Sequence, residues 1–213
     1  MLNLMNTLPV ENMSPVGPGN IEREQTHSFV CTSNVRGRKE DKEKIINLLL
    51  SCDDVENEAI EEKVDVVSII PIVGIRGLGK TTLAQLVYND LSVVNHFNLR
   101  IWVCVSDEFD VKKLTEKIIR STTNAEFPNL DIDQLQARLR KELDGKRYLL
   151  VLDDVWNEDQ EKWVKLRSLL VGVDCRMGSK IVKPELGWLI LSMFHSLRKL
   201  KYIYTATTLQ SSN

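Results

Sequence analysis

The chain has 213 residues, 43% hydrophobic and 27% charged, with a formal net charge of −2. That composition suits a globular domain with a sizeable core and room for a second small unit. The near balance of charge excludes a basic nucleic-acid face. The late cations Lys183, Arg198, Lys199 and Lys201 are too few for a nucleic-acid or lipid patch.

Cys31, Cys52, Cys104 and Cys175 fit no metal or redox spacing, so a reducing, cytoplasmic compartment is expected. The first residues lack a basic segment followed by an apolar core, and no signal peptide is expected. The most apolar late run, Leu186 to Phe194, is nine residues long and too short for membrane insertion.

Residues 1 to 30 read as a disordered N-terminal linker. Pro9, Pro15, Gly17, Pro18 and Gly19 punctuate a polar stretch without a period. A helix is predicted over Glu40–Leu50, with Ile45, Ile46, Leu48, Leu49 and Leu50 as its apolar face. Ser51–Lys63 is an acidic surface loop.

Strands and helices then alternate. Val66–Val73 is a continuous apolar run, as expected of a strand covered on both faces. Thr81–Tyr88 is helical, Leu99–Val105 a second strand, and Val111–Thr122 and Asp131–Leu143 two amphipathic helices. Tyr148–Leu152 is a third strand, Glu161–Leu170 a helix, and Ser179–Val182 the start of a fourth strand. This alternation predicts an α/β fold: a doubly wound parallel sheet flanked by helices.

Gly74-Ile-Arg-Gly-Leu-Gly-Lys-Thr-Thr82 follows the first strand directly and matches the phosphate-loop pattern G-x-x-x-x-G-K-[ST]. Gly74, Gly77 and Gly79 let backbone N–H groups turn inward toward an anion, and the following helix adds its positive end. Lys80 is placed to reach the β- and γ-phosphates, and the Thr81 hydroxyl to ligate Mg²⁺. A second pattern is Tyr148-Leu-Leu-Val-Leu-Asp-Asp154, an apolar strand running into two carboxylates. Ligands of open α/β sheets bind at the carboxyl ends of the strands. Asp153 is therefore the expected metal partner of the loop, and Asp154 the expected catalytic carboxylate, orienting or deprotonating water.

Gly74–Asp90, together with His96-Phe-Asn-Leu-Arg-Ile-Trp-Val-Cys-Val-Ser106 and Lys146-Arg-Tyr-Leu-Leu-Val-Leu-Asp-Asp-Val-Trp156, resembles the NB-ARC domain of plant immune receptors of the coiled-coil type. Val35-Arg-Gly-Arg-Lys-Glu40 resembles that family's entry motif. The resemblance implies a P-loop NTPase-type fold, ADP or ATP with Mg²⁺ as ligand, and a switch role in defence signalling. It assigns Gly77, Gly79, Lys80, Thr81 and Thr82 to phosphate and metal, Asp153 and Asp154 to metal and water, and Val35, Gly37 and Arg38 to the base. Other receptor domains or chaperones are the implied partners.

The resemblance covers roughly residues 26 to 182, implying a nucleotide-binding subdomain over 31–182, and then departs. Where the family continues with two threonines and a phosphate-sensing arginine, Lys183-Pro184-Glu185 follows. Lys183 is no geometric substitute for arginine, and Pro184 is expected to end a central strand. Residues 183–213 read as a divergent tail with one amphipathic helix starting at Pro184. The expectation is thus a truncated module, incomplete at the C-terminal side of the sheet, and at most a slow ATPase. Two other readings stay open. One is a non-catalytic interaction fragment or inactive receptor product. The other, ranked last, is a small P-loop kinase, which needs a lid with arginines after the third strand, where residues 155 to 182 offer only Arg167 and Arg176.

Overall fold

The apolar runs form one parallel sheet whose strand order places the glycine-rich loop near its centre. The computed structural model describes residues 25–51, 67–105, 109–123, 130–155, 159–171, 178–185 and 204–205. The strands are β1 (Val67–Val73), β2 (Leu99–Cys104), β3 (Tyr148–Asp153), β4 (Ser179–Glu185) and β5 (Tyr204–Thr205), in the order β2-β3-β4-β1-β5. The neighbouring strands pair in parallel, with Val67 opposite Ser179 and Leu99 opposite Tyr148.

The helices are α1 (Lys39–Leu50), α2 (Lys80–Tyr88), α3 (Leu91–His96), α4 (Val111–Thr122), α5 (Ile132–Leu143) and α6 (Gln160–Val171). They divide between the two faces. Ile45 and Leu49 of α1, Leu83 and Val87 of α2 and Val93 of α3 pack on Ile70, Ile72, Leu149, Val151 and Val182. Leu114 and Ile118 of α4, Leu135 and Leu139 of α5, and Trp163 and Leu166 of α6 pack on Val67, Ile101, Leu150, Leu152 and Ile181. Successive strand residues point to opposite faces, so β3 is buried throughout and reads as an uninterrupted apolar run.

Side-chain caps fix several helix starts. Asp131 accepts from the Gln134 backbone N–H at 2.8 Å while Gln134 returns a bond to the Asp131 N–H at 3.1 Å, a capping box at α5. Asp90 caps α3 through Ser92 N–H and Asp110 caps α4 through Lys113 N–H. Each such cap contributes about 1 kcal/mol.

Two expectations are corrected. The sequence predicts that Pro184 ends β4, but the strand continues through Glu185, with Ile72 opposite Pro184 and Val73 opposite Glu185. The ladder with β3 stops at Val182, so Pro184 stands where one side of the strand is unpaired and a missing N–H is tolerated. Pro184 therefore does not open a helix; the remainder of that predicted helix lies outside the described residues. A fifth strand, pairing Tyr204 and Thr205 with Ile72 and Val73, adds to the sheet beyond β1.

Candidate nucleotide-binding site

The loop joining β1 to α2 is shaped by glycine. Gly77 and Gly79 take φ values of 83° and 71°, the left-handed region that other residues enter only at a cost. Gly79 is the N-cap of α2 and makes no side-chain cap bond. The first N–H groups of a helix have no intrahelical partners. At α2 they open onto the loop, where the helix dipole favours an anion. A Cβ built on Gly77 meets no atom within 4 Å, and one built on Gly79 meets only Thr82, so the cradle has free space beside its backbone.

The loop's conformation is held from two sides. Lys80 Nζ donates to the Ile75 carbonyl at 2.9 Å, folding the side chain over the loop. Burial holds the Lys80 pKa below its usual value, and the negative charge of Asp153 works against that shift. Arg38, at the head of α1, donates to the Leu78 carbonyl and also pairs with Asp41 at 2.8 Å. Arg76 lies on the loop's exposed crown.

Thr81 and Asp153, the expected metal partners, lie within hydrogen-bond distance of each other. Thr81 Oγ1 donates to Asp153 Oδ1 at 3.0 Å across the gap between α2 and β3. Asp153 is 1% exposed. Burial pushes its carboxyl pKa up, opposed by hydroxyls of Thr26 and Thr81 and the Asp154 N–H, while the Asp154 charge adds to the rise. The Thr26 hydroxyl faces this carboxyl closely enough to favour its ionised form. Yet neither Thr26 Oγ1 nor Asp153 Oδ2, both shielded from solvent, completes a hydrogen bond of normal geometry. Asp154, next to the strand end, has φ 57°, a left-handed conformation that aspartate tolerates better than most residues.

An orphaned, buried carboxylate oxygen beside a threonine hydroxyl is a hard-oxygen donor set and fits Mg²⁺. Among the described residues no group of three or more His, Cys, Asp or Glu side chains could cage a metal.

Of the residues singled out in the sequence, the structure gathers Arg38, Gly74, Gly77, Gly79, Lys80, Thr81, Thr82 and Asp153 around the loop, with Asp154 adjoining. Val35 and Gly37 lie just before α1, and Gly37 is left-handed at φ 69°. Arg38 of that segment bonds to the loop. Lys183 points to the opposite face: its ammonium lies 4.7 Å from the Trp163 ring centroid, and burial pushes its pKa down to about 8. Trp102 and Trp163 are packing residues, and Tyr88 meets Trp102 edge-on at 5.5 Å. Trp156 lies outside the described residues.

Sequence reasoning missed three contributors. Gln85 on α2 and Asn89, its C-cap, donate to the backbone carbonyls of His27 and Ser28 at 2.5 and 2.6 Å. That contact brings Thr26 to Asp153. Residues 25–28 carry no periodicity or motif, so no local signal marks them. A shallow groove of about 510 Å³ between α4, α5 and α6, lined by Phe109, Val111, Ile132 and Leu169, contains none of the phosphate-loop residues.

A parallel sheet with a glycine loop at β1, a helix dipole behind it and an acidic strand end at β3 defines a P-loop nucleotide-binding domain. The chain belongs to the NB-ARC domain family, whose model matches residues 38–182. It is 44% identical over 150 residues to the disease resistance protein RGA2 of Solanum bulbocastanum, and 47% identical over 143 residues to the putative disease resistance protein RGA4 of the same species. These alignments cover 70% and 67% of this chain but 14% of each relative. A putative RPP13-like disease resistance protein of Arabidopsis thaliana is 39% identical over 163 residues, 76% of this chain and 14% of that protein.

The chain thus spans about a seventh of the length of these relatives. Among solved structures, the Cdc6p protein of Pyrobaculum aerophilum aligns over 85% of this chain and 48% of its own, with a TM-score of 0.56 and 18% identity. The Aeropyrum pernix ORC2 protein aligns over 80% of this chain and 48% of its own, with a TM-score of 0.53 and 15% identity. These two likenesses concern the fold. Among the described residues no helix is long and apolar enough to cross a membrane.

Proposed function

We propose that the chain is the ADP/ATP-binding module of a plant intracellular immune receptor, a nucleotide switch in defence signalling that works in the cytoplasm. The observation that carries this reading is the uncapped start of α2 facing a left-handed glycine loop, with Thr81 already bonded to Asp153. The disease resistance relatives supply the signalling context.

Each residue has a role that follows from its place. The α2 N–H groups and Gly79 bind the β-phosphate, and Lys80 leaves the Ile75 carbonyl to contact the phosphates. Arg38 keeps the loop against α1 through Leu78, which positions Val35 and Gly37 to flank the base. Thr81 and Asp153 would hold Mg²⁺. Mg²⁺, when bound, would supply charge neutralisation at the phosphates. Asp154 orients water. Lys183 is packed on Trp163, and so contributes no cation on the α2 side of the sheet. Hydrolysis by this chain is therefore slow, and other receptor domains are the partners that read the bound state.

Nucleotide released by denaturing the purified chain tests the reading by chromatography. ADP in near-stoichiometric amount, or ADP taken up by the stripped protein, is expected. A chain that carries none and takes up neither ADP nor ATP contradicts the proposal.

A further inference from the structure

The segment before α1 does more than lead into the domain. Residues 25–28 run along α2, pinned by two side-chain-to-carbonyl bonds, Gln85 to His27 at 2.5 Å and Asn89 to Ser28 at 2.6 Å. Gln85 and Asn89 are one helical turn apart, so the strap follows the helix surface. It runs from the Asn89 end of α2 toward the Thr81 end, and its next residue is Thr26. There two solvent-shielded polar atoms, Thr26 Oγ1 and Asp153 Oδ2, both lack a completed hydrogen bond. The other oxygen of the same carboxylate is already satisfied by Thr81. Buried orphans are rare because each costs the desolvation of a polar group. The two face each other closely enough for the hydroxyl to favour the ionised carboxylate, without a hydrogen bond of normal geometry, in the place where a cation fits.

We infer that Thr26 is a positioning residue of the metal site: its hydroxyl, delivered by the strap on α2, orients Asp153 or a metal-bound water when Mg²⁺–nucleotide is present. The inference rests on the nucleotide-binding reading and adds to it. Interactions that orient a metal ligand typically change metal affinity by about ten- to a hundredfold.

The test uses the full chain with ADP and Mn²⁺ as the probe. Mn²⁺ affinity in the presence of ADP is read by electron paramagnetic resonance, and ADP affinity in EDTA by calorimetry. Thr26→Val keeps the shape and removes the hydroxyl. It should weaken Mn²⁺ binding by about ten- to a hundredfold and leave ADP affinity in EDTA unchanged. Thr26→Ser should restore Mn²⁺ binding. The double variant Gln85→Ala, Asn89→Ala, which undocks the strap without touching the site, should weaken Mn²⁺ binding in the same direction. Wild-type Mn²⁺ affinity in Thr26→Val, or an equal loss of ADP affinity in EDTA, overturns the inference while the nucleotide reading stands. A wild-type chain that binds no ADP in EDTA overturns both.

Discussion

Replacing Gly79 with alanine separates the loop's structural cost from its role in binding, because the fold contains a matched control. Gly79 has φ 71° at the head of α2, and Gly145 has φ 65° in the turn between α5 and β3. A Cβ on Gly79 meets only Thr82, at 3.9 Å, and a Cβ on Gly145 meets nothing within 4 Å. Neither substitution creates a clash within the chain, so each costs about the left-handed penalty alone, about 1–2 kcal/mol. In a chain of this size that lowers Tm by about 2–8 °C.

The two variants differ in what lies beyond the new methyl group. At Gly79 it enters the space over the first N–H groups of α2, where the phosphate is placed; at Gly145 it enters solvent. ADP affinity should therefore fall roughly tenfold or more for Gly79→Ala, the equivalent of at least one lost charge-assisted hydrogen bond, and stay constant for Gly145→Ala. Thermal unfolding and isothermal calorimetry read the two quantities. Equal ADP affinities for the two variants would refute the placement of the phosphate. A much larger Tm loss for Gly79→Ala would refute the claim that only strain is added.

Lys80→Ala should weaken ADP binding by about 10–100-fold, the range of a lost charged hydrogen bond, while Tm stays within a few degrees of wild type. The apo side chain holds one carbonyl, and its charge is disfavoured by burial. Asp153→Asn should raise the Tm of the metal-free chain at neutral pH. The folded carboxyl pKa is raised above 3.8 by burial, so its ionised form costs stability above that pH, and the advantage of Asn vanishes as pH falls below 3.8. The same variant should lose Mg²⁺-dependent ADP binding. A metal-free Asp153→Asn chain that unfolds earlier than wild type at pH 7 contradicts the burial argument.

Lys183→Met addresses the buried cation over Trp163. The folded pKa of about 8 lies below 10.5, so the unfolded chain binds more protons between these values and wild-type stability rises with pH through that window. The Met variant should be more stable at pH 7 by about 1–3 kcal/mol. The upper figure is the pKa displacement alone, and the lower allows for cation–π attraction. The gap should close by pH 10.5, as read by urea unfolding at several pH values. A gap that widens with pH would contradict it.

The sequence carries most of the sheet because burial on both faces leaves uninterrupted apolar runs, as in β1 and β3. It also carries the phosphate loop, since three glycines and a lysine at fixed spacing have few other uses between a strand and a helix. Local patterns fail where the cause is tertiary. Helix α3 has six residues and one fully buried side chain, Val93, too little for a period; its signal is the Asp90 cap at Ser92. Pro184 misleads because its tolerance depends on β3 ending its ladder at Val182, a fact about a neighbouring strand. The fate of Lys183 depends on Trp163, which α6 brings to it. Thr26 gains a role only because α2, more than 50 residues later, carries the two amides that dock its neighbours.

The central claim is that the loop at Gly74–Thr82 binds a nucleoside diphosphate through Lys80 and the head of α2. Equilibrium titration of the nucleotide-stripped chain with ADP, beside Lys80→Ala, tests it most directly. One saturable site per wild-type chain, with affinity lost by an order of magnitude or more in the variant, is the predicted result. Identical, weak binding by both proteins would contradict the account.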